Sequence, residues 1–169
     1  MEKIEFNFEW VSSEDASGEE LRNTWAKFSL VAGGNVVTLI HEKYQKTVNE
    51  HIYMPLYPVA EWLIYNCWFL FNEKYTPGKF DEVEFEKRHN LKFAEEGYSL
   101  PDVQFVPEDD VIRTSWRPIS YEYRNSEFIG HGSTLLELEK FKDDVFQFIE
   151  KVVRRLEDRG ITDTFLQNE

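Results

Sequence analysis

The run from Tyr53 to Tyr75, YMPLYPVAEWLIYNCWFLFNEKY, is the densest aromatic and apolar stretch of the chain. The sequence around it is acidic and polar, so any fold must first find cover for this segment. It is too short and too interrupted to cross a bilayer. Glu61 breaks it, and the remainder, Trp62 to Asn72, is about half of the roughly 20 apolar residues that a spanning helix needs. Pro58 suits the first turn of a helix, where its missing N–H is harmless. From Val59 to about Lys74 there is no Gly or Pro, and Val59, Ala60, Trp62, Leu63, Ile64, Cys67, Phe69, Leu70 and Phe71 leave little polar surface. The expectation is a central helix buried on most of its sides.

The flanking segments supply what could bury it. Ile4, Phe6, Phe8 and Trp10 alternate with Glu5, Asn7 and Glu9, the pattern of a half-buried strand. Ser12 to Glu20 reads as a polar loop. Trp25 to Val31 and Val36 to His41 read as a hairpin turned at GGN 33–35, and TVNEHIYMPLY as a further extended piece. Beyond the loop at Thr76 to Glu82, Val83 to Gly97 reads as a second, more charged helix, with Gly97 in the position just past its end. Val103 to Val106 and Val111 to Trp116 read as strands around the PEDD turn. Thr134 and Glu137 have the spacing of a capping box. Leu138, Phe141, Val145, Phe148, Val152 and Leu156 then recur at helical steps as far as Gly160. The tail from Ile161 is short and mostly polar.

Strands and helices are segregated rather than strictly alternating, so the expected class is α+β: antiparallel strands packed around a buried central helix, with a long C-terminal amphipathic helix. The length of 169 residues fits one globular domain, 1–169, with no repeat or linker. The formal net charge is -13. Binding to nucleic-acid phosphates calls for a basic surface, so direct nucleic-acid binding is disfavoured. The single cysteine, Cys67, permits no intrachain disulfide and no cysteine-based zinc site. The N-terminus has neither a basic region nor a continuous apolar one, so no signal peptide is expected. Together these features fit a cytoplasmic protein with no membrane association.

The motifs of common chemistries are missing. His41-Glu42-Lys43-Tyr44-Gln45 opens like the zinc-protease signature, but Gln45 stands where the second histidine is needed. His51 and His131 have no partner at ligand spacing. There is no GxSxG elbow, P-loop or GxGxxG. GHGS at 130–133 reads as a loop leading into the capped helix. No catalytic residue, metal ligand or cofactor is expected.

One constellation stands out. Glu61, Tyr65, Trp68 and Asn72 share one face of the central helix. A buried carboxylate needs a partner, and Arg88 and His89 lie on the next predicted helix. Two readings are open. Glu61, Tyr65, Asn66, Trp68, Arg88 and His89 line a polar binding pocket, or Glu61 makes an ion pair with Arg88 or His89 that orients the two helices.

The segments MPLYPVAEWLIYNCWFLFNE, RHNLKFAEEGYSLPDVQFVPEDD and VVRRLEDRGITDTFLQ resemble the N-terminal accessory domain of bacterial proteins that carry a C-terminal ImmA/IrrE-type zinc metallopeptidase region. The resemblance rests on Pro55, Leu56, Tyr57, Ala60, Glu61, Trp62, Asn66, Trp68, Glu73, Arg88, His89, Gly97 and Pro101. Cys67 departs from it, standing where the family pattern has the first of two tryptophans. The resemblance implies a bacterial accessory domain without its peptidase part. The expected function is then a non-enzymatic interaction or regulatory domain that binds a protein partner in a stress, toxin–antitoxin or phage-related system. Two alternatives stay open: a small-ligand-binding protein or enzyme using Glu61, Arg88 and His89, and an acidic inhibitor that mimics nucleic acid.

Overall fold

The computed structural model describes residues 2–11, 20–44, 46–79, 81–95, 98–119 and 126–161. The loop from Ser12, the role of Gly97 and the tail after Ile161 lie outside the described residues. In chain order the elements are β1 (Ile4–Trp10), α1 (Glu20–Asn23), β2 (Trp25–Ala32), β3 (Asn35–Val36), β4 (Ile40–Glu42), β5 (Thr47–Asn49) and β6 (Ile52–Pro55). They continue with α2 (Tyr57–Asn72), α3 (Glu82–His89), β7 (Asn90–Glu95), β8 (Tyr98–Glu108), β9 (Val111–Arg117), β10 (Ser126–Phe128), β11 (Gly132–Glu137) and α4 (Leu138–Asp158). The class is α+β.

Three antiparallel sheets result. In the first, β2 lies between β1 on one side and β3 and β6 on the other. The second runs β10-β4-β5, and the third is the meander β11-β9-β8-β7. Gly33 and Gly34 make the β2–β3 turn with φ of 57° and 80°, values that side-chain-bearing residues rarely adopt. The expected hairpin is therefore present but short. Its second strand ends at Val36, because Thr38 turns inward: its hydroxyl accepts from Leu30 N–H and donates to the Glu50 carbonyl.

The two aromatic runs meet on α4. Phe148 stacks on Phe6 of β1 with centroids 4.4 Å apart, tying α4 to the first sheet. Phe141 lies 5.2 Å from Phe105 of β8 and 5.9 Å from Phe71 of α2, tying the same helix to the third sheet and to α2. Phe141, Val145, Phe148, Val152 and Leu156 are all buried, at the helical spacing of an apolar stripe.

Three expectations need correction. The charged helix ends at His89 rather than Gly97. Asp81 caps its start by accepting from Val83 and Glu84 N–H, and Lys87, Arg88 and His89 fill its last turn, where cations suit the helix dipole. Asn90 then enters the third sheet, and Leu91 and Phe93 alternate with exposed Lys92 and Ala94. Next, Thr134 does not cap α4. It lies mid-strand in β11, opposite Thr114, where a β-branched side chain packs well. The strand runs straight into the helix, and Leu138 N–H donates to the Asp110 carbonyl at 2.9 Å. GHGS is accordingly only half loop: Gly130 and His131 connect β10 to β11, and Gly132 and Ser133 open β11. A Cβ on Gly132 would sit 2.8 Å from the Trp116 ring. Finally, α2 is not buried on most sides. Pro58, Val59, Ala60, Leu63 and Leu70 face the core, but Tyr65 and Trp68 are 59% and 62% exposed.

Candidate functional site

The start of α2 is held by Thr24, whose hydroxyl accepts from Tyr57 N–H at 3.1 Å and donates to the Glu20 carbonyl at 2.7 Å. One turn into the helix, the Tyr57 hydroxyl hydrogen-bonds the Glu61 carboxylate. Burial of the ring and the negative charge of Glu61 push the Tyr57 phenol up, out of reach of neutral pH. The partner of Glu61 is thus a phenol on its own helix rather than Arg88 or His89. The amides of Asn66 and Asn72 are used locally, donating to the carbonyls of Trp62 and Trp68 at 2.9 Å each. Cys67 is half-buried, with its sulfur 3.5 Å from the Ile64 carbonyl.

Arg88 and His89 do hold a glutamate, but it is Glu73, just beyond the C-terminus of α2. Arg88 Nε and Nη2 donate to the two Glu73 oxygens at 2.9 and 3.2 Å. His89 Nε2 lies 2.7 Å from Glu73 Oε1, and its Nδ1 lies 2.7 Å from the Phe105 carbonyl oxygen. The carbonyl can only accept, so Nδ1 carries a hydrogen. The Arg88 fork favours the ionised form of Glu73. The fully buried His89 ring stacks 4.0 Å from the Phe85 ring. Burial alone would raise the Glu73 carboxyl. The hydrogen bonds from Arg88 and His89, and then their charges, overcome it and hold Glu73 below the usual carboxylate range.

Twelve residues separate Glu61 from Glu73, which is about 18 Å along a helix. The six residues predicted to share a pocket are therefore split. Glu61, Tyr65 and Trp68 lie along an open helix face, Asn66 bonds its own helix, and Arg88 and His89 close a knot on Glu73. The sequence did contain the better carboxylate: Glu73 stands at the polar end of the apolar run, where an ion pair costs less to desolvate. A second knot crosses the third sheet. Buried Asp102 accepts from Asn90 Nδ2 at 2.8 Å and Arg117 Nε at 3.1 Å, and Gln104 donates to Asn90 at 3.1 Å. Among the described residues no three His, Cys, Asp or Glu side chains gather as a metal site requires, and no helix is long and apolar enough to cross a membrane.

Another open feature lies along β1. The Lys3 carbonyl accepts from Gly33 N–H at 2.9 Å and Val11 N–H donates to the Trp25 carbonyl at 3.0 Å. With a continuous register from Ile4↔Ala32 to Trp10↔Ala26, this fixes the parity of the ladder. The odd-numbered residues Glu5, Asn7 and Glu9 exchange hydrogen bonds with β2. The N–H and C=O of Ile4, Phe6, Phe8 and Trp10 point the other way. Among the described residues no hydrogen bond reaches those backbone groups and no strand pairs with that side. β1 carries none of the proline or bulge that usually blunts an edge.

Two depressions border this edge. One, of about 570 Å³, is lined by Phe6, Phe8, Trp10, Glu9, Lys27 and His51 among others. The other, of about 280 Å³, lies between Ile4, Phe6 and Phe8 of β1 and Lys140, Gln147 and Lys151 of α4. Phe6 and Phe8 are half-buried and floor both; Lys151 Nζ sits 5.9 Å from the Phe8 ring centroid. No signal in the alternating sequence marked β1 as an edge, since a central strand of the same sheet would alternate in the same way. No family model, curated protein or solved structure matches this chain, so its likeness to the peptidase-associated domain rests on its motif residues alone.

Proposed function

We propose that this protein is a non-enzymatic docking module, which binds a partner protein by taking an extended segment of that partner onto the free edge of β1. One observation carries the reading: the N–H and C=O groups of Ile4, Phe6, Phe8 and Trp10, unpaired among the described residues, stand in a row beside a groove walled by α4. Strand addition supplies affinity through such main-chain groups and specificity through alternate side chains. The polar clusters at Glu73 and Asp102 point away from catalysis, because the carboxylate oxygens of both are already taken by Arg88, His89, Asn90 and Arg117. A cytoplasmic setting and a regulatory role in a bacterial stress, toxin–antitoxin or phage-related system belong to the same proposal. They are supported by the lone thiol and, by analogy only, by the resemblance to a peptidase-associated domain.

The test is a displayed library of random linear peptides selected on the whole chain, with each binder mapped by amide exchange. In the unliganded protein the Phe6 and Phe8 amides are expected to exchange fast and those of Asn7 and Glu9 slowly. Binders are expected to slow Phe6 and Phe8. A library that gives no binder, or binders that leave those amides unchanged, removes the proposal.

A further inference from the structure

Resting on that docking reading, the geometry points to the chemistry of the partner segment: we infer an extended strand with basic side chains at positions i and i+4 and apolar side chains at i+1 and i+3. Residues directly opposite each other in an antiparallel pair point to the same side of the sheet. A strand laid on β1 therefore places three alternate residues opposite Glu5, Asn7 and Glu9, on the outer face, and the two between them opposite Phe6 and Phe8, against α4.

Each face sets its own requirement. On the outer face the partner meets two carboxylates. Glu5 has Lys3 at 3.6 Å, on its own strand. Glu9 stands opposite Lys27 in β2, on the side away from the free edge. A basic residue opposite each glutamate is the favourable cross-strand pair, and an acidic one is repelled. On the α4 face the partner meets the Phe6 and Phe8 rings and the Lys151 stem. There Lys140 is engaged by Asp144 at 2.8 Å and the Lys151 ammonium sits over Phe8. Apolar side chains lie on these rings without leaving a charge unpaired.

The same two glutamates argue against a second copy as the occupant. In an antiparallel pairing of two β1 strands about Asn7, Glu5 of each copy would stand opposite Glu9 of the other, between two chains that each carry a net charge of -13. The charge of the whole chain also steers a basic segment toward it.

The experiment uses the whole chain and three acetylated, amidated heptapeptides. The first is Thr-Lys-Val-Asn-Val-Lys-Thr; in the others Gln or Glu replaces both lysines. Affinities are read from amide shifts of Phe6 and Phe8 at low salt and at about 0.5 M salt. The Lys peptide is expected to bind at least tenfold more tightly than the Gln peptide, to lose that advantage in high salt, and to exceed the Glu peptide further. Glu5→Lys with Glu9→Lys should reverse the order. Glu84→Lys with Glu127→Lys changes the net charge equally, and neither residue lines the groove; that variant should keep the order. If all three peptides protect Phe6 and Phe8 equally, the basic partner class is overturned and the docking reading stands. Loss of the preference in the Glu84/Glu127 variant also overturns it, because the effect is then global charge. If the unliganded chain sediments as a dimer with Phe6 and Phe8 already protected, a second copy is the occupant and the inference falls. The docking reading itself fails only with the random library.

Discussion

The C-terminal end of α2 and the free edge of β1 treat polar groups in opposite ways. At Glu73 a carboxylate, a guanidinium, an imidazole ring and a backbone carbonyl bind one another within 3.2 Å. Along β1, backbone groups on four successive even-numbered residues are offered outward and none is used by a described residue. Charge and burial draw the eye to the first region, yet both oxygens of its carboxylate are already engaged. The second region carries no unusual side chain, and the binding proposed for it rests on backbone. The most polar place in a fold and the place most able to recognise something are different questions.

The contrast can be broken from the closed side first. Glu73→Ala leaves buried His89 and the Arg88 guanidinium, 23% exposed, without their shared carboxylate; breaking a buried pair costs about 3–5 kcal/mol, read from urea unfolding. Phe148→Ala removes the ring stacked on Phe6 and the wall of the groove. It should cost about 3 kcal/mol and weaken peptide binding as well, the one substitution expected to do both. Acid provides a gentler version of the first test. Glu73 is held below its unfolded value, so its contribution is complete above a pH of about 4.3 and is lost as pH falls through the folded value. Glu73→Gln should flatten that part of the pH–stability curve. Trp68→Ala should shift stability by no more than about 0.5 kcal/mol, because the side chain is 62% exposed. A larger loss would mean that the open face of α2 does more for the fold than its packing shows.

How much of the molecule is legible in its sequence depends on how local each cause is. β1, β8–β9 and α4 were legible because their apolar periods are set by their own residues. The change from α3 to β7 at Asn90 was not. Its cause is a hydrogen-bond partner, Asp102, twelve residues on, and Val83 to Gly97 alone contains enough helix formers to mislead. Thr134 and Glu137 have capping spacing, but the strand they belong to exists because β9 lies beside it. At the candidate site, the expectation of a carboxylate for Arg88 and His89 had the right chemistry and the wrong residue. Helical periodicity gave Glu61 a face and said nothing of the distance to α3. The unpaired side of β1 was beyond any such reading, since it depends on what lies next to the strand.

The groove between β1 and α4 also has a timing. Phe6 and Phe148, its floor and wall, are 142 positions apart in the sequence. While the chain is being synthesised, β1 leaves the ribosome long before α4 exists, so an aromatic strand waits with both its edges open. Pairing with β2 can cover one edge early; the wall comes only after residues around Lys151 have emerged. Contacts of such separation form late and slowly. A partner that needs the wall therefore cannot be engaged by a half-made chain, whereas anything that merely recognises an open edge can. The interval before α4 docks is when this protein is most exposed to the wrong strand.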